Sequence, residues 1–381
     1  MQSANRLNSV NEYYFSEKLR EIQHLMAQGK PIINLGIGNP DLPPPKEAIE
    51  AMKLALDEPT KHGYQSYKGI DLLRNAIATF YKLHYRVILH PDSDILPLFG
   101  AKEGIMHLST AFLNKGDGVL IPNPGYSSYA ATANLTEATI ITYDLEKENN
   151  WQPNFSALEK LDLTNFKMMW VNYPNMPTGA KATVELFEKL VTFGKKHQIL
   201  IINDNPYSFV LTEKPMSILS IEGAKDTCVE LNSLSKSFNM AGWRVGMLVG
   251  NKDVIDSVLK VKSNMDSGMF YGLQMGAIAA LEVTDDWYKN LNTIYKQRRN
   301  IVWKMADALG YTYDKNAEGF FVWTKLPKGL KSFEAADSLL YEHNIFVTPG
   351  KIFGTNGDDY IRFSLCLDET KLKEALKRLE K

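Results

Sequence analysis

The chain has 381 residues, 44% of them hydrophobic and 23% charged, with a formal net charge of −1. That is enough for two or three domains around a large core, and the balanced charge removes the usual electrostatic footprint of nucleic-acid binding. Two cysteines, Cys228 and Cys366, offer no disulfide framework and no C-x-x-C spacing, so both are expected reduced and buried in a cytoplasmic protein.

In chain order, Met1 to Gln23 is polar and lacks the apolar core of a signal peptide. No apolar run approaches the roughly 18 residues of a membrane span; Ile199-Leu200-Ile201-Ile202 is bounded by Gln198 and Asn203. From about residue 94, β-rich runs alternate with helical patterns. The runs are Asp94–Phe99, Gly118–Pro122, Thr139–Asp144, Lys167–Tyr173, Ile199–Asn203, Cys228–Asn232 and Val245–Gly250. Helical stretches between them include Lys102–Leu113, Tyr126–Leu135, Thr183–His197 and Lys252–Lys262. This βαβ rhythm predicts an α/β fold with a mainly parallel sheet covered by helices, its ligand beyond the carboxyl ends of the strands.

After about residue 283 the pattern changes to a long helix, Asp286 to Leu309, with strands at Gly319–Lys325 and Tyr360–Leu365 and helices at Ser332–Glu342 and Asp368–Lys381. That predicts a smaller α+β domain built from both chain ends. Residues 1–45 form an arm and part of this domain, 46–283 the large domain, and 284–381 the remainder.

Several motifs carry chemistry. In Ser233-Leu234-Ser235-Lys236, followed by Gly242-Trp243-Arg244-Val245-Gly246, a lysine sits among hydroxyls with an arginine eight positions on. A protonated lysine is a poor nucleophile, and one set in a crowded polar turn suits a Schiff base beside a phosphate cup. Asp204-Asn205-Pro206-Tyr207 follows a predicted buried strand. An isolated aspartate there is commonly a turn residue, but the Asp-x-x-Tyr spacing upstream of Lys236 reverses that preference. Phe99-Gly100-Ala101-Lys102-Glu103 joins a strand to a helix, whose free N–H groups favour an anion. Pro124-Gly125-Tyr126-x-x-Tyr129 places aromatics at a turn, and Tyr64 stands five residues before Gly69. Arg362 lies on the strand Tyr360-Ile361-Arg362-Phe363-Ser364, where a guanidinium fork can grip a carboxylate through two parallel bonds. The Gly-x-Gly at Gly36-Ile37-Gly38 lacks the context of a dinucleotide fingerprint. The seven histidines show no paired ligand spacing, so no metal is expected.

Taken in order, these motifs resemble the class I/II pyridoxal-phosphate aminotransferases of fold type I over essentially the whole chain. The resemblance implies pyridoxal 5'-phosphate held as an internal aldimine by Lys236, which then moves the proton between substrate Cα and cofactor C4′. It implies that Ser233, Arg244 and the amides of Ala101 and Lys102 bind the phosphate, and that Tyr126 stacks on the pyridine. Asp204 pairs with the ring nitrogen and Tyr207 donates to the phenolate oxygen. Gly38 and Arg362 hold the α-carboxylate. Tyr64, with Tyr67 as competitor, reaches the phosphate of a neighbouring subunit, which implies a homodimer with shared sites. Substrates are then an L-amino acid and a 2-oxo acid, and the Val261–Gly268 and Ser237–Gly242 segments resemble the branch of LL-diaminopimelate and aspartate-type enzymes.

One position departs from the family. Where the pattern has Asn-Pro-Thr-Gly, this chain has Met176-Pro177-Thr178-Gly179. The missing asparagine donates to the phenolate oxygen, and methionine cannot; Tyr207 alone, or Asn172 or Asn175 through a shifted backbone, is expected to serve. Two rival functions share the motifs: a β-eliminating C–S lyase on the same fold, and a non-catalytic cofactor-binding regulator. Against the regulator, no spare segment or basic helix remains for a DNA-binding domain.

Overall fold

The computed structural model describes residues 1–380. Seven strands form its central sheet: β1 (Ile95–Leu98), β2 (Gly118–Asn123), β3 (Thr139–Asp144), β4 (Phe166–Val171), β5 (Leu200–Asp204), β6 (Cys228–Ser233) and β7 (Gly246–Gly250). Their order across the sheet is β1-β7-β6-β5-β4-β2-β3. Only β7 runs against its neighbours β1 and β6; the other pairings are parallel.

Alternation along the strands builds two apolar layers. Val119, Ile121, Met168 and Trp170 face one side, with Leu108 and Val258 from the helices Ala101–Phe112 and Lys252–Lys262. Leu120, Met169 and Val171 face the other, with Leu186, Phe187 and Leu190 of the helix Val184–His197. Burial on both faces explains why β2 and β7 read as nearly unbroken apolar runs in the sequence.

Element bounds differ from the sequence expectation by a residue or two. The run expected at Ile199–Asn203 is Leu200–Asp204, which makes Asp204 the last strand residue. The long helix spans Asp285–Ala308, and the final helix Glu369–Leu379; Lys381, at the end of the expected one, lies outside the described residues. Among the described residues, no helix is long and apolar enough to cross a membrane.

A second, antiparallel sheet orders Thr348–Pro349, Tyr360–Ser364, Phe321–Lys325 and Thr312–Tyr313. The chain's beginning joins this part: Ile33 and Asn34 pair with Ile345 and Phe346, and Ile22 of the helix Tyr14–Ala27 packs with Leu340 and Phe346. The bidentate pair of Arg298 with Asp41, at 2.6 and 2.8 Å, fastens the segment after Gly38 to the long helix. These contacts bring residues 36–38, Phe321 and Arg362 over the carboxyl ends of β5 and β6.

Candidate active site

A cavity of about 620 Å³ opens there. Of the residues singled out from the sequence, Gly38, Ala101, Lys102, Tyr126 and Asp204 line it, as do Tyr207, Ser233, Lys236, Arg244 and Arg362. Tyr64 does not; its side chain stands 92% exposed on the surface of the chain.

Asp204 and Ser233 end adjacent parallel strands, whose register pairs Asp204 with Leu231 and carries Ser233 two residues further. Ser233 then caps the short helix Leu234–Ser237, accepting from the Ser235 amide at 3.1 Å. Its hydroxyl donates to the Ser235 hydroxyl at 2.9 Å, and the same turn delivers Lys236 into the cavity. The lysine Nζ donates to the Gly38 carbonyl at 2.6 Å. Burial pushes its pKa down to about 8, helped by the charges of Arg362 and Arg244 and opposed by Cys366 and Asp204.

Asp204 is buried, and desolvation lifts its carboxyl to about 6 against the lowering effects of Tyr129 and Lys236. Tyr129 donates to Oδ2 at 2.8 Å, while Oδ1 has no partner within the chain. Such an orphaned buried oxygen is costly unless something else pairs with it. Tyr207, buried as well, is held protonated by the same desolvation, with Arg362 opposing.

At the other end of the cavity, Arg244 adopts a left-handed backbone (φ 58°) and bonds the carbonyls of Ala241 and Phe99. A Cβ on Gly100 would lie 2.2 Å from its Nη2, and the φ of 88° there is one that side chains rarely adopt, so glycine suits this junction. Ala101 and Lys102 begin the helix Ala101–Phe112, whose first amides have no intrahelical acceptor. Hydroxyls, a guanidinium and helix-start amides thus meet at one point.

Arg362 is buried on its strand. Nη2 donates to the Gly36 carbonyl at 2.9 Å, Nη1 points at Met176 Sδ at 3.2 Å, and Phe321 lies 3.8 Å from the guanidinium. Burial draws its pKa down to about 10, so it stays charged at neutral pH. Gly38 has no space for a side chain, because a Cβ would meet Phe321 at 2.3 Å.

Some features of the site were not legible in the sequence, and one expectation is corrected. Tyr129 was visible only as part of the Tyr126-x-x-Tyr129 run; three positions along a helix put both rings on one side, 5.6 Å apart. Tyr13 and Phe15 come from the N-terminal arm to line the cavity, Tyr13 beneath the Lys102 ammonium at 4.2 Å. Asn175, one suggested stand-in for the missing asparagine, turns away: its amide donates to Asn172 and accepts from Thr178. Asn172 lines the cavity, but its amide nitrogen donates to the Asp204 carbonyl. Glu103, His107 and Asp266 also converge, their ligand atoms within 4.8 Å, though no spacing among the histidines pointed to a metal. Lys262 occupies Asp266 at 2.8 Å, and Glu103 accepts from the Phe99 amide at 2.6 Å.

Comparison with known proteins matches residues 30–379 to the model of aminotransferase class I and II. The LL-diaminopimelate aminotransferase of Aquifex aeolicus is 40% identical over 379 residues, covering 99% of this chain and 98% of the relative. That of Halothermothrix orenii is 38% identical, covering 100% and 98%. Substrate-bound BacF of Bacillus subtilis superimposes with a TM-score of 0.95 at 36% identity, covering 100% of this chain and 97% of that one. A single mutant of Thermus thermophilus aspartate aminotransferase superimposes at 0.92 with 25% identity, covering 100% and 99%.

Proposed function

The chain belongs to the class I and II aminotransferases, and on that premise we propose that its donor is an LL-diaminopimelate-type amino acid and that Lys236 is its catalytic amine. It is a pyridoxal 5'-phosphate-dependent enzyme that moves an amino group from an amino acid to a 2-oxo acid. The choice of donor rests on full-length relatives that carry that name.

The residues fit the cofactor. The unpaired Oδ1 of Asp204 suits a protonated ring nitrogen, Lys236 an aldehyde carbon, and the Ser233, Arg244, Ala101 and Lys102 cup a phosphate. Tyr207 has a protonated hydroxyl to donate to the phenolate oxygen, and Tyr126 an aromatic face for the ring. When bound, the cofactor supplies a carbonyl carbon that takes up amines and a ring that draws electrons from the substrate α-carbon. The chain's own residues do the rest. Lys236, with its pKa lowered toward neutrality, holds and moves the α-proton. Arg362 orients the α-carboxylate, with the Gly38 backbone beside it. Phe15 and Leu19 of the N-terminal arm wall the cavity and help exclude water.

The observation that carries this reading is Lys236 Nζ within the cavity that Asp204 and Arg362 also line, its ammonium form disfavoured by burial. We further propose a homodimer in which Tyr64, exposed on the single chain, reaches the partner's phosphate cup. Division at residues 46–283 and 284–381 is supported by the separate seven-stranded and four-stranded sheets, and a reducing, cytoplasmic location by two free buried cysteines.

The test is a panel of amino donors followed as single half-reactions by cofactor absorbance. LL-diaminopimelate should react fastest, and Lys236→Ala should show no reaction with any donor. A panel in which diaminopimelate is inert while another donor reacts refutes the donor assignment; full turnover by Lys236→Ala refutes the amine.

A further inference from the structure

Arg362 meets the cavity under an unusual cap. Its Nη2 is committed to the Gly36 carbonyl at 2.9 Å and to the Thr348 hydroxyl at 3.4 Å, and its Nε has no partner. Nη1 ends 3.2 Å from Met176 Sδ. The guanidinium faces are covered by Phe321 and Phe353, at 3.8 and 4.8 Å. Met176 is 6% exposed and lines the cavity.

The loop leaves Met176 little freedom. Its amide donates to the Asn172 side chain at 2.6 Å, and Asn175 ties the same turn to Asn172 and Thr178. The side chain at position 176 is therefore aimed at Arg362 by the backbone. A thioether is a weak acceptor and has no proton to give. A carboxylate that reaches Nη1 displaces a soft sulfur and gains no hydrogen bond from position 176.

We propose that Met176 is a specificity-determining residue of the carboxylate clamp: it places no hydrogen-bond donor beside Nη1 of Arg362 and so loosens the grip on carboxylates. This rests on the reading that Arg362 receives the substrate carboxylate. Substrate choice then shifts from the carboxylate, common to all amino acids, toward contacts with the side chain. An amide at 176 adds one hydrogen bond to a charged acceptor. The expected gain is about tenfold in affinity, equivalent to about 1.4 kcal/mol.

The test uses holoenzyme and two unreactive probes, 3-phenylpropanoate and its neutral amide, with dissociation constants from calorimetry. Met176→Asn and Met176→Gln should bind the carboxylate about tenfold more tightly and the amide unchanged. Met176→Leu, which restores bulk without a donor, should stay within about twofold of wild type for both. Gln is nearer methionine in length, so it keeps the test intact if Asn impairs folding, as judged by melting temperature. Arg362→Gln tests the underlying reading and should lose the carboxylate's advantage over the amide. If that advantage survives in Arg362→Gln, the arginine reading and the proposal both fall. If it is lost there, while neither Met176→Asn nor Met176→Gln tightens carboxylate binding, the proposal alone is overturned.

Discussion

Tyr129 donates its hydroxyl proton to Oδ2 of Asp204 at 2.8 Å and leaves Oδ1 of the same buried carboxylate without a partner. The tyrosine ring lies stacked on Trp170 at 4.7 Å, so its hydroxyl has little freedom. One oxygen is fixed and the other is presented. The hydrogen bond lowers an Asp204 pKa that burial raises to about 6, which favours the ionised form expected to face a protonated ring nitrogen.

Tyr129→Phe keeps the stack and removes the donor. A hydrogen bond to a charged group contributes about 1.5–3 kcal/mol, so the dissociation constant for pyridoxal phosphate should rise at least about tenfold. Titration of the apoenzyme with the cofactor measures this. An unchanged constant would mean that Tyr129 does not support the charge on Asp204.

Lys236 gives a pH dependence in the apoenzyme. Its folded pKa, about 8, lies below its ordinary value of 10.5. The unfolded chain therefore binds more protons between those values, and stability rises with pH across that window. The cost of burying the ammonium is fully present below about 8. Lys236→Met should melt higher than wild type at pH 7, with the difference shrinking toward pH 10. Parallel melting curves would contradict the lowered pKa.

Glu318 is buried beside the turn at Gly179. Its amide donates to the Gly179 carbonyl at 2.8 Å, and the next residues lead into Phe320 and Phe321. Burial pushes its carboxyl up to about 7 from 4.5, with Lys181 and Thr212 opposing and Glu213 adding to the rise. Here the folded state holds the extra proton, so stability falls as pH rises through that interval. Glu318→Gln should raise the melting temperature at pH 8 and leave it nearly unchanged below pH 4.5, as scanning calorimetry would record.

Arg298 is 3% exposed and binds both oxygens of Asp41 as well as the Leu365 carbonyl at 3.0 Å. Arg298→Ala removes the buried cation and leaves Asp41, which reaches solvent, so it should cost about 1–2 kcal/mol in denaturant unfolding through lost hydrogen bonds. Asp41→Asn instead leaves the buried guanidinium without its carboxylate and should cost more, about 3 kcal/mol. Equal losses would show that the unpaired guanidinium carries no extra penalty.

Much of the site was legible because its chemistry is local in sequence. Lys236 follows Ser233 and Ser235 in one turn, and Asp204 and Tyr207 flank the end of one strand, so type and spacing carried them. Tyr129 was not legible in its role, since its partner lies 75 positions away and is reached only when the helix Ser127–Leu135 packs against β2 and β3. From the sequence alone, position 176 reads as a lost contact to the cofactor. In the folded chain its sulfur meets Arg362, 186 positions on, a pairing that no local pattern encodes.

By itself the sequence determined the alternation of strand and helix, the family and the ends of β5 and β6, because hydrophobic period and turn chemistry act over a few residues. Only the tertiary structure decided which oxygen of Asp204 stays unpaired, that the N-terminal arm walls the cavity, and what caps Arg362. Those outcomes depend on desolvation and contact between segments far apart in the chain, and they exist only once the core has closed.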